Sequence, residues 1–271
     1  MNIFAENDPE KVLLAIAHPD DETMFFLPTL KKLSEKACLH VISFSSGDYD
    51  GLGEVRKKEL QEACKLIGIQ HVTVIEDDQL QDGMSNKWPL DLIGDLLGAY
   101  IQDQGIDTVL TFDEYGVSAH PNHIDVSRGV QRYFEEERWK SQSLPENKEL
   151  CFYVLESTNI LRKYSGILES LLTLMLFWIL SSASRSSWMG AANIQAKENK
   201  SANKKTILET DGNISKYKSV FLNWNIFLAY NVMSAHRSQF VWYRRLFTVF
   251  SRYAYMNSWK KLGKQSKIKK A

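Results

Sequence analysis

The segment from Val12 to Phe26, VLLAIAHPDDETMFF, joins a short apolar run to a dense group of polar residues. The run VLLAIA has the length and unbroken apolar character of a central parallel strand that is covered on both faces. The residues HPDDE then place one histidine and three consecutive acids directly after that strand. Because ligand sites in open α/β sheets lie at the carboxyl ends of the strands, this segment predicts both a fold and the position of a site.

Strand-like and helix-like segments alternate over the first 156 residues, as in a doubly wound α/β fold. Short right-handed crossovers would join them into a Rossmann-like, mostly parallel sheet with helices on both faces. Neither GxGxxG nor GxxxxGK[ST] follows the first strand, so the phosphate-cradling loop of a nucleotide site is missing. The predicted strands are 12–17, 40–44, 72–75, 108–112 and 151–155, and the predicted helices are 22–36, 54–67, 90–104 and one after His120.

We expect a single catalytic domain over residues 1–271. The apolar run at 167–180 has 14 residues, fewer than the roughly 20 of a spanning helix, which favours a buried or interfacial helix. The expected parts are an α/β core at 12–156, an apolar helical segment at 157–180, a flexible insertion at 181–218, a carboxyl-terminal part at 219–259 that completes the site, and a basic tail at 260–271.

The composition is that of a folded globular protein, with 44% hydrophobic and 24% charged residues. Thirty-three basic and 33 acidic residues balance, so no whole-chain signal for nucleic acid is present. From Arg237 onward, ten Lys or Arg residues and no acid are interleaved with aromatics. That pattern suits contact with anionic lipid, and equally a packed aromatic element followed by a solvated tail.

Two features of the sequence bear on the compartment. The three cysteines, Cys38, Cys64 and Cys151, are odd in number and lack metal-like spacing, which argues against a disulfide framework and favours a cytosol-facing location. The opening residues MNIFAENDPEK lack the basic and apolar parts of a signal peptide.

The histidines indicate metal chemistry. Only six occur in the chain, and His18, His120 and His123 fall in two loops that this fold brings to the same edge. His120 and His123 share a face if their segment is helical. A His/Asp/His set leaves a position open for water, as in catalytic zinc sites. The alternatives are a structural histidine and a simple helix cap formed by Asp20 or Asp21.

Five stretches carry a resemblance to a known family: AHPDDETMFF, FSSGDYDGLGEVRKKEL, LTFDEYGVSAHPNH, NILRKY and SAHRSQFVWYRRLFTVFSRYAYMNS. On these stretches the chain resembles the PIG-L/LmbE superfamily of zinc-dependent de-N-acetylases from about Val12 to about Ser258. HPDDE marks the superfamily, whereas GEVRKKEL and the HRSQ…RRL…FSRY ending are similar to its eukaryotic branch. The resemblance implies an LmbE-like fold.

The resemblance also implies a division of labour among the polar residues. His18, Asp21 and His123 would bind Zn²⁺ or another divalent metal. Asp20 would be the general base that takes a proton from the attacking water. His120 would stabilise the oxyanion or protonate the leaving amine.

Arg56 and His236 are the predicted substrate-binding residues. Arg56, in GEVRKKE, can bind the substrate phosphate as a bidentate donor, and the alternative is a solvent-facing arginine paired with Glu54 or Glu59. His236, in SAHRSQ, matches a recurring histidine of the family that lies near the site.

Smaller roles fall to four other residues. Arg162 and Lys163, in NILRKY, are weaker candidates for phosphate binding. Glu22 has no catalytic role in this scheme and would support the helix start or the metal ligands. Asn122 stands where soluble bacterial members often carry an acid that orients a histidine, which leaves the protonation state of His120 open.

The implied reaction removes acetate from N-acetylglucosaminyl-phosphatidylinositol to give glucosaminyl-phosphatidylinositol, the second step of GPI-anchor biosynthesis, at the cytosolic face of the endoplasmic reticulum membrane. The expected partners are this glycolipid and the membrane surface, with no nucleic acid. Eukaryotic relatives usually begin with a transmembrane helix, so either the natural chain starts earlier or attachment relies on 167–180, the aromatic basic segment or partners. The alternatives are an LmbE-like deacetylase of a soluble GlcNAc conjugate and a catalytically silent scaffold in a membrane complex.

Overall fold

A computed structural model describes residues 9–136, 150–166, 168–169, 171–172, 175, 219–225 and 227–262. The predicted insertion at 181–218, most of the apolar run at 167–180 and residues 263–271 of the basic tail therefore lie outside the described residues. Within the described part of the chain, no helix is long and apolar enough to cross a membrane.

The described strands and helices alternate up to residue 163 and then end in an antiparallel region. In chain order they are β1 (Lys11–Ile16), α1 (Asp21–Phe25), α2 (Leu27–Leu33), β2 (Cys38–Ser43), α3 (Gly53–Ile67), β3 (His71–Val74), α4 (Leu90–Gln104), β4 (Thr108–Phe112), α5 (Gly116–Ala119), α6 (Pro121–Glu135), β5 (Cys151–Leu155), α7 (Ile160–Lys163), β6 (Ser219–Leu222), α8 (Leu228–Met233), α9 (Trp242–Phe250) and β7 (Met256–Lys261).

The strands form one seven-stranded sheet in the order β3-β2-β1-β4-β5-β7-β6. The first five are parallel, whereas β7 pairs antiparallel with both β5 and β6. The predicted α/β class with a mostly parallel sheet is therefore confirmed. Strand order reverses at β1, which lies between β2 and β4, so the loops after β1 and β4 meet at the switch point where such sheets bind ligands.

The apolar run that opens the chain forms the centre of the sheet, as its sequence predicts. Val12 to Ala17 are fully buried, and β1 pairs with β2 on one side and β4 on the other. Burial on both faces removes each of these side chains from water, which is worth roughly 1.5–3 kcal/mol for each large aliphatic residue. This anchored strand holds the polar loop that follows it.

The single helix predicted over 22–36 is wrong, because two helices occupy that range. α1 ends at Phe25 and α2 begins at Leu27, with Pro28 in the first turn of α2. Proline has no backbone N–H to continue the hydrogen-bond ladder from the preceding turn, and it is well tolerated at the start of a helix. The break lets α1 and α2 take separate directions directly after the polar loop.

Two residues of β7 attach the antiparallel region to the start of the chain. On β7, the side-chain oxygen of Asn257 accepts hydrogen bonds from the Thr29 N–H (3.1 Å) and hydroxyl (2.8 Å), and its amide donates to Phe25 O (2.7 Å). The buried indole of Trp259 donates to the Thr29 hydroxyl at 2.8 Å. The last strand thereby fixes α1 and α2 beside the loop that follows β1.

The cysteines form no disulfide, as their number and spacing predict: Cys38, Cys64 and Cys151 are free thiols.

Candidate active site

The loop after β1 is a strained turn held by its own acids. Asp20 has φ 110° and ψ −21°, a region that residues with a side chain rarely adopt, and its side chain caps no helix. Glu22 Oε2 accepts from the Asp20 N–H at 3.0 Å, and Asp21 Oδ2 accepts from the His18 N–H at 2.9 Å. The helix-cap alternative is therefore wrong for Asp20, and the neighbouring carboxylates fix the turn instead.

Asp21 and His123 face each other across the edge of the sheet. The Asp21 Oδ1 and His123 Nε2 atoms lie 3.1 Å apart, and both residues are buried. His123 Nδ1 lies 3.0 Å from Gly116 O and donates there, so Nε2 is the nitrogen that faces Asp21. Burial raises the pKa of Asp21, but the charge and hydrogen bond of His123 outweigh it and hold that pKa well below its usual range.

His18 completes this group from the end of β1. Its Nε2 lies 3.0 Å from Asp82 Oδ1 and 3.2 Å from Asn122 Oδ1, both of which accept, whereas Nδ1 is on the Asp21 side at 3.8 Å from Oδ2. Burial lowers the pKa of His18, but the hydrogen bond to Asp82 and the charges of Asp21 and Asp82 raise it above the usual value. In each ring, one nitrogen is hydrogen-bonded to an oxygen, Gly116 O for His123 and Asp82 Oδ1 for His18. The other nitrogen therefore faces Asp21.

His120 is the half-buried member of the same group. It is the residue before α6, and its Nδ1 accepts from the Asn122 N–H at 3.3 Å. Burial and the charges of His18 and His123 lower the pKa of His120 to about 4. His120 is therefore neutral at pH 7 and carries its proton on Nε2, which answers the question that Asn122 left open.

The group has the donor chemistry of a metal site. His18, His120 and His123 offer ring nitrogens within 4.8 Å of one another, and the Asp21 carboxylate lies between the first and last of them. Imidazole nitrogen and carboxylate oxygen are the ligands of catalytic zinc sites, and the second nitrogens of His18 and His123 have the oxygen partners that such ligands usually have. The residues present therefore fit a divalent metal.

Two arginines converge on Asp20. Arg56 NH2 lies 3.2 Å from Asp20 Oδ2. Arg244 NH1 donates to the same oxygen at a shorter distance. Asp20 Oδ1 has no partner among the residues that the structure describes. Burial lowers the pKa of Arg244, but the charge of Asp20 raises it above the usual value. Asp20 is thus a carboxylate held from one side with its other oxygen available.

Arg56 is a buried component of the site. It is only 7% exposed and donates to Pro19 O at 2.7 Å and to Gly47 O at 2.8 Å, besides its contact with Asp20. The alternative of a solvent-facing arginine paired with Glu54 or Glu59 is therefore wrong. Arg56 lines the pocket, but its guanidinium mainly ties the loop after β1 to the loop after β2.

His236 forms a closed ion pair with Glu22 behind the pocket. Its Nε2 lies 2.6 Å from Glu22 Oε1, and neither side chain has any exposed surface. Burial lowers the pKa of His236, but the charge and hydrogen bond of Glu22 raise it above the usual value. His236 is fully buried and is not among the residues that line the cavity, so its role in substrate binding stays a prediction. Its partner in this structure is Glu22, which also accepts from the Asp20 N–H.

The predicted site residues line a cavity of about 660 Å³ at the carboxyl edge, His236 excepted. Two of its charged residues were missed from sequence. Asp82 lies in the loop after β3, and its position at the carboxyl edge was an available signal. Arg244 on α9 approaches from more than 220 residues along the chain, and nothing in FVWYRRL separates it from Arg245.

A second group of potential metal ligands lies at the opposite edge of the sheet. Cys38, His40 and His71 come within 4.8 Å of one another at the amino-terminal ends of β2 and β3. The rings of His40 and His71 stack at 4.2 Å, and His40 Nδ1 lies 3.1 Å from the Tyr100 hydroxyl. This group is remote from the loops described above and is not part of the candidate active site.

Comparison with known proteins agrees with the geometry. Residues 13–134 match the family described as PIG-L: GlcNAc-PI de-N-acetylase. A probable N-acetylglucosaminyl-phosphatidylinositol de-N-acetylase of Dictyostelium discoideum is 33% identical over 92% of both chains. The N-acetylglucosaminyl-phosphatidylinositol de-N-acetylase of Bos taurus is 34% identical over 92% of this chain and 82% of its own.

The fold recurs in solved deacetylases. The N,N'-diacetylchitobiose deacetylase from Pyrococcus horikoshii superposes with a TM-score of 0.60 at 15% identity, covering 97% of this chain and 87% of its own. At that identity the similarity establishes the fold alone. With two relatives above 30% identity over nearly the whole chain, the protein belongs to the PIG-L family of de-N-acetylases.

Proposed function

We propose that this protein hydrolyses the N-acetyl amide of N-acetylglucosaminyl-phosphatidylinositol and releases acetate and glucosaminyl-phosphatidylinositol, as in the second step of GPI-anchor biosynthesis. The observation that carries the proposal is the convergence of His18, Asp21 and His123 beside Asp20 in one cavity. The names of the Dictyostelium and bovine relatives supply the substrate.

His18, Asp21 and His123 are the residues that would bind the metal, which we take to be Zn²⁺ or a similar divalent ion. When bound, such an ion would act as a Lewis acid that polarises the amide carbonyl, and it would lower the pKa of a bound water molecule towards about 7. The chain prepares the three ligands: Gly116 O orients His123, Asp82 orients His18, and the backbone N–H of His18 holds Asp21.

Asp20 is the general base of the proposed reaction. Oδ1 takes a proton as the water oxygen attacks the amide carbon, and it returns that proton to the amine nitrogen when the C–N bond breaks. Arg56 and Arg244 hold Oδ2, so the carboxylate cannot rotate away from the cavity. The positive φ of Asp20, supported by Glu22, sets the direction of the side chain.

His120 stabilises the oxyanion in this scheme. Because its pKa is about 4, it is neutral at pH 7 and offers an Nε2–H rather than an acidic imidazolium. A neutral donor can hydrogen-bond the oxygen on which negative charge develops, but it cannot readily protonate an amine. Of the two roles that the family resemblance implies, we therefore propose the first.

Substrate binding involves Arg56 as part of the cavity wall. We propose that its guanidinium positions Asp20 first and contacts the polar head of the substrate second, because three protein oxygens already accept from it. For His236 we propose a positioning role through Glu22 in place of substrate contact.

The protein acts at a membrane surface, at the cytosolic face of the endoplasmic reticulum, in our proposal. Support comes from α9, which exposes Trp242, Tyr243, Leu246 and Phe250 beside the mouth of the cavity. Exposed aromatic and aliphatic side chains next to arginines are typical of helices that rest in the headgroup region. This arrangement favours a lipid substrate over a soluble GlcNAc conjugate.

The proposal is tested by acetate release from N-acetylglucosaminyl-phosphatidylinositol presented in mixed micelles, with the product identified by mass spectrometry. A water-soluble N-acetylglucosaminyl-inositol phosphate serves as the comparison. We expect turnover of the lipid and slower turnover of the soluble compound. Faster turnover of the soluble compound would support the soluble-conjugate alternative, and no turnover of either would support the scaffold alternative.

A further inference from the structure

A second groove, of about 700 Å³, adjoins the catalytic cavity and has a different chemistry. Tyr164 and Phe250 line both, so the two spaces are continuous. None of the nine residues that line the groove carries a charge, and the exposed ones include Leu168, Phe227 and Val249. Apolar side chains exposed in one concave surface indicate a ligand that removes them from water.

An unpaired cation lies where the polar cavity meets this groove. Lys163 is only 9% exposed, its Nζ donates to Val117 O at 3.2 Å, and no carboxylate among the described residues pairs with it. An ammonium has three donors, so this contact satisfies one of them. Burial lowers the pKa of Lys163, because the charged form has lost water without gaining an anion.

The neighbouring residue Arg162 shows the contrast. It makes an ion pair with Glu169, to which its Nε also donates at 2.8 Å, and it does not line the cavity. Of the two weaker phosphate candidates in NILRKY, only Lys163 therefore faces the space that a substrate would enter. A buried lysine acts on a phosphate as a point charge.

Aromatic rings place Lys163 between the metal ligands and the groove. The ring of Phe25 is 5.8 Å from the ring of His123 and 5.9 Å from Lys163 Nζ. On the other side, Lys163 Nζ is 5.8 Å from the ring of Tyr164, which borders the groove. The order along the surface is thus metal ligands, buried cation, apolar groove.

We propose that Lys163 and the adjoining groove form a binding site for the phosphodiester and one acyl chain of a phospholipid. The proposal rests on the proposed function, whose substrate carries these groups in the same order: acetamido sugar, inositol, phosphate, acyl chains. The phosphate would supply the anion that Lys163 lacks. The acyl chain would cover the exposed faces of Leu168, Phe227 and Phe250.

The test is photo-crosslinking with phosphatidylinositol that carries a diazirine near the end of one acyl chain, mixed with the full chain in micelles. This lipid has no acetamido group, so labelling does not depend on hydrolysis. We expect the label on the peptides that contain Leu168, Phe227 or Phe250. Labels concentrated elsewhere on the surface would overturn the proposal.

Two variants and their controls sharpen the result. Phe227→Asp puts a charge into the groove at a position that is 65% exposed, and it should reduce labelling at least about fivefold. The control Leu66→Asp, at a position 56% exposed on α3, should leave labelling unchanged. Equal labelling of Phe227→Asp and Leu66→Asp would overturn the proposal that the groove binds the acyl chain.

The proposed contact between Lys163 and the phosphodiester is tested with Lys163→Met, which replaces the ammonium by an apolar side chain of similar length. The labelling ratio of phosphatidylinositol to diacylglycerol with the same diazirine chain should fall about tenfold, since a charge-assisted hydrogen bond is lost. Lys163→Arg should retain most of the ratio, and the exposed Lys65→Met is the control. An unchanged ratio in Lys163→Met would overturn the phosphate contact. A protein that labels as expected but releases no acetate would contradict only the proposed function.

Discussion

The two ends of this chain bring opposite charges to one site. The amino-terminal half supplies carboxylates at the carboxyl edge of the parallel strands: Asp20 and Asp82 lie in loops, and Asp21 and Glu22 begin α1. The segment from Arg237 onward contains no acid, and together with His236 it supplies cations. His236 pairs with Glu22, and Arg244 pairs with Asp20. The first region thus provides the reactive groups, and the second makes their burial tolerable.

This difference explains why acids so close together can remain beside a core. Coulomb repulsion among neighbouring carboxylates is strong at low dielectric, and each one needs a partner when it leaves water. In this structure every acid of the HPDDE segment has its own: Arg56 and Arg244 for Asp20, His123 for Asp21, and His236 for Glu22. We expect substitutions in the first region to act on activity, and in the second region we expect His236, whose partner Glu22 does not line the cavity, to act on stability.

The largest effect should come from a metal ligand of the first region. His123→Ala removes one imidazole from a buried set of three ligands, so we expect metal binding and deacetylation both to fall below detection. Equilibrium dialysis with Zn²⁺ and acetate release measure the two. His71→Ala, at the opposite edge of the sheet, is the histidine control. Full activity in His123→Ala would show that this residue is not a ligand.

In the second region, His236→Phe should act on stability. Glu22 would be left charged and buried without its partner, which costs about 3–5 kcal/mol. Denaturant unfolding measures the loss. The double variant Glu22→Leu, His236→Leu replaces both charges by apolar groups and should recover much of it. A double variant less stable than His236→Phe would contradict the pairing argument.

The same pair sets a pH dependence. The folded pKa of His236 lies above the unfolded value of 6.5, so the folded state binds this proton more tightly. The stabilisation is fully present below pH 6.5 and is lost as pH rises through the folded pKa. We therefore expect the unfolding free energy to decrease as pH rises from 6.5 through the folded pKa of His236. In His236→Phe, the contribution of this histidine to the pH dependence of the unfolding free energy should be absent. The comparison of the two slopes is the measurement.

Arg244→Gln tests whether the second region also acts on catalysis. The variant removes one of two guanidinium contacts from Asp20 Oδ2, so kcat/KM should fall about 10- to 100-fold, as expected for a charge-assisted hydrogen bond. Stability should fall less than in His236→Phe, because Arg56 remains paired with Asp20 Oδ2. Arg245→Gln, an exposed neighbour that contacts Phe240, should keep full activity.

The smallest effect should come from Glu59→Gln, at a contact between the regions that involves no second charge. Glu59 accepts from the Ser238 N–H at 2.7 Å and from its hydroxyl at 2.6 Å. Glutamine keeps one acceptor oxygen and loses the other, so the unfolding free energy should fall by about 1 kcal/mol. The exposed Glu62→Gln on the same helix should be neutral. A loss as large as that of His236→Phe would show that charge compensation is not what distinguishes these contacts.

The first region was predictable because its signals are local. β4, β5 and α4 were predicted with the bounds observed, since continuous apolar runs and helical periodicity need no distant partner. The meeting of HPDDE with AHPNH followed from strand position alone. The break at Phe26 was missed, although Pro28 was its visible cause.

The second region was not predictable in the same way. β7 has the sequence MNSWKK, which shows no alternation, and its identity as a strand depends on pairing with β5 and β6 and on Asn257 reaching Thr29. The roles of Arg244 and His236 depend on contacts more than 200 residues apart. Such contacts are set by tertiary packing, which a single sequence does not display.

The most direct test of the account is acetate release from N-acetylglucosaminyl-phosphatidylinositol by the parent protein and by Asp20→Asn, with bound metal measured in both. Asparagine keeps the shape of Asp20 but cannot take a proton. We predict equal metal content in the two proteins and a rate about 10²- to 10⁴-fold lower in the variant. Equal rates with equal metal content would contradict the assignment of Asp20 as the base.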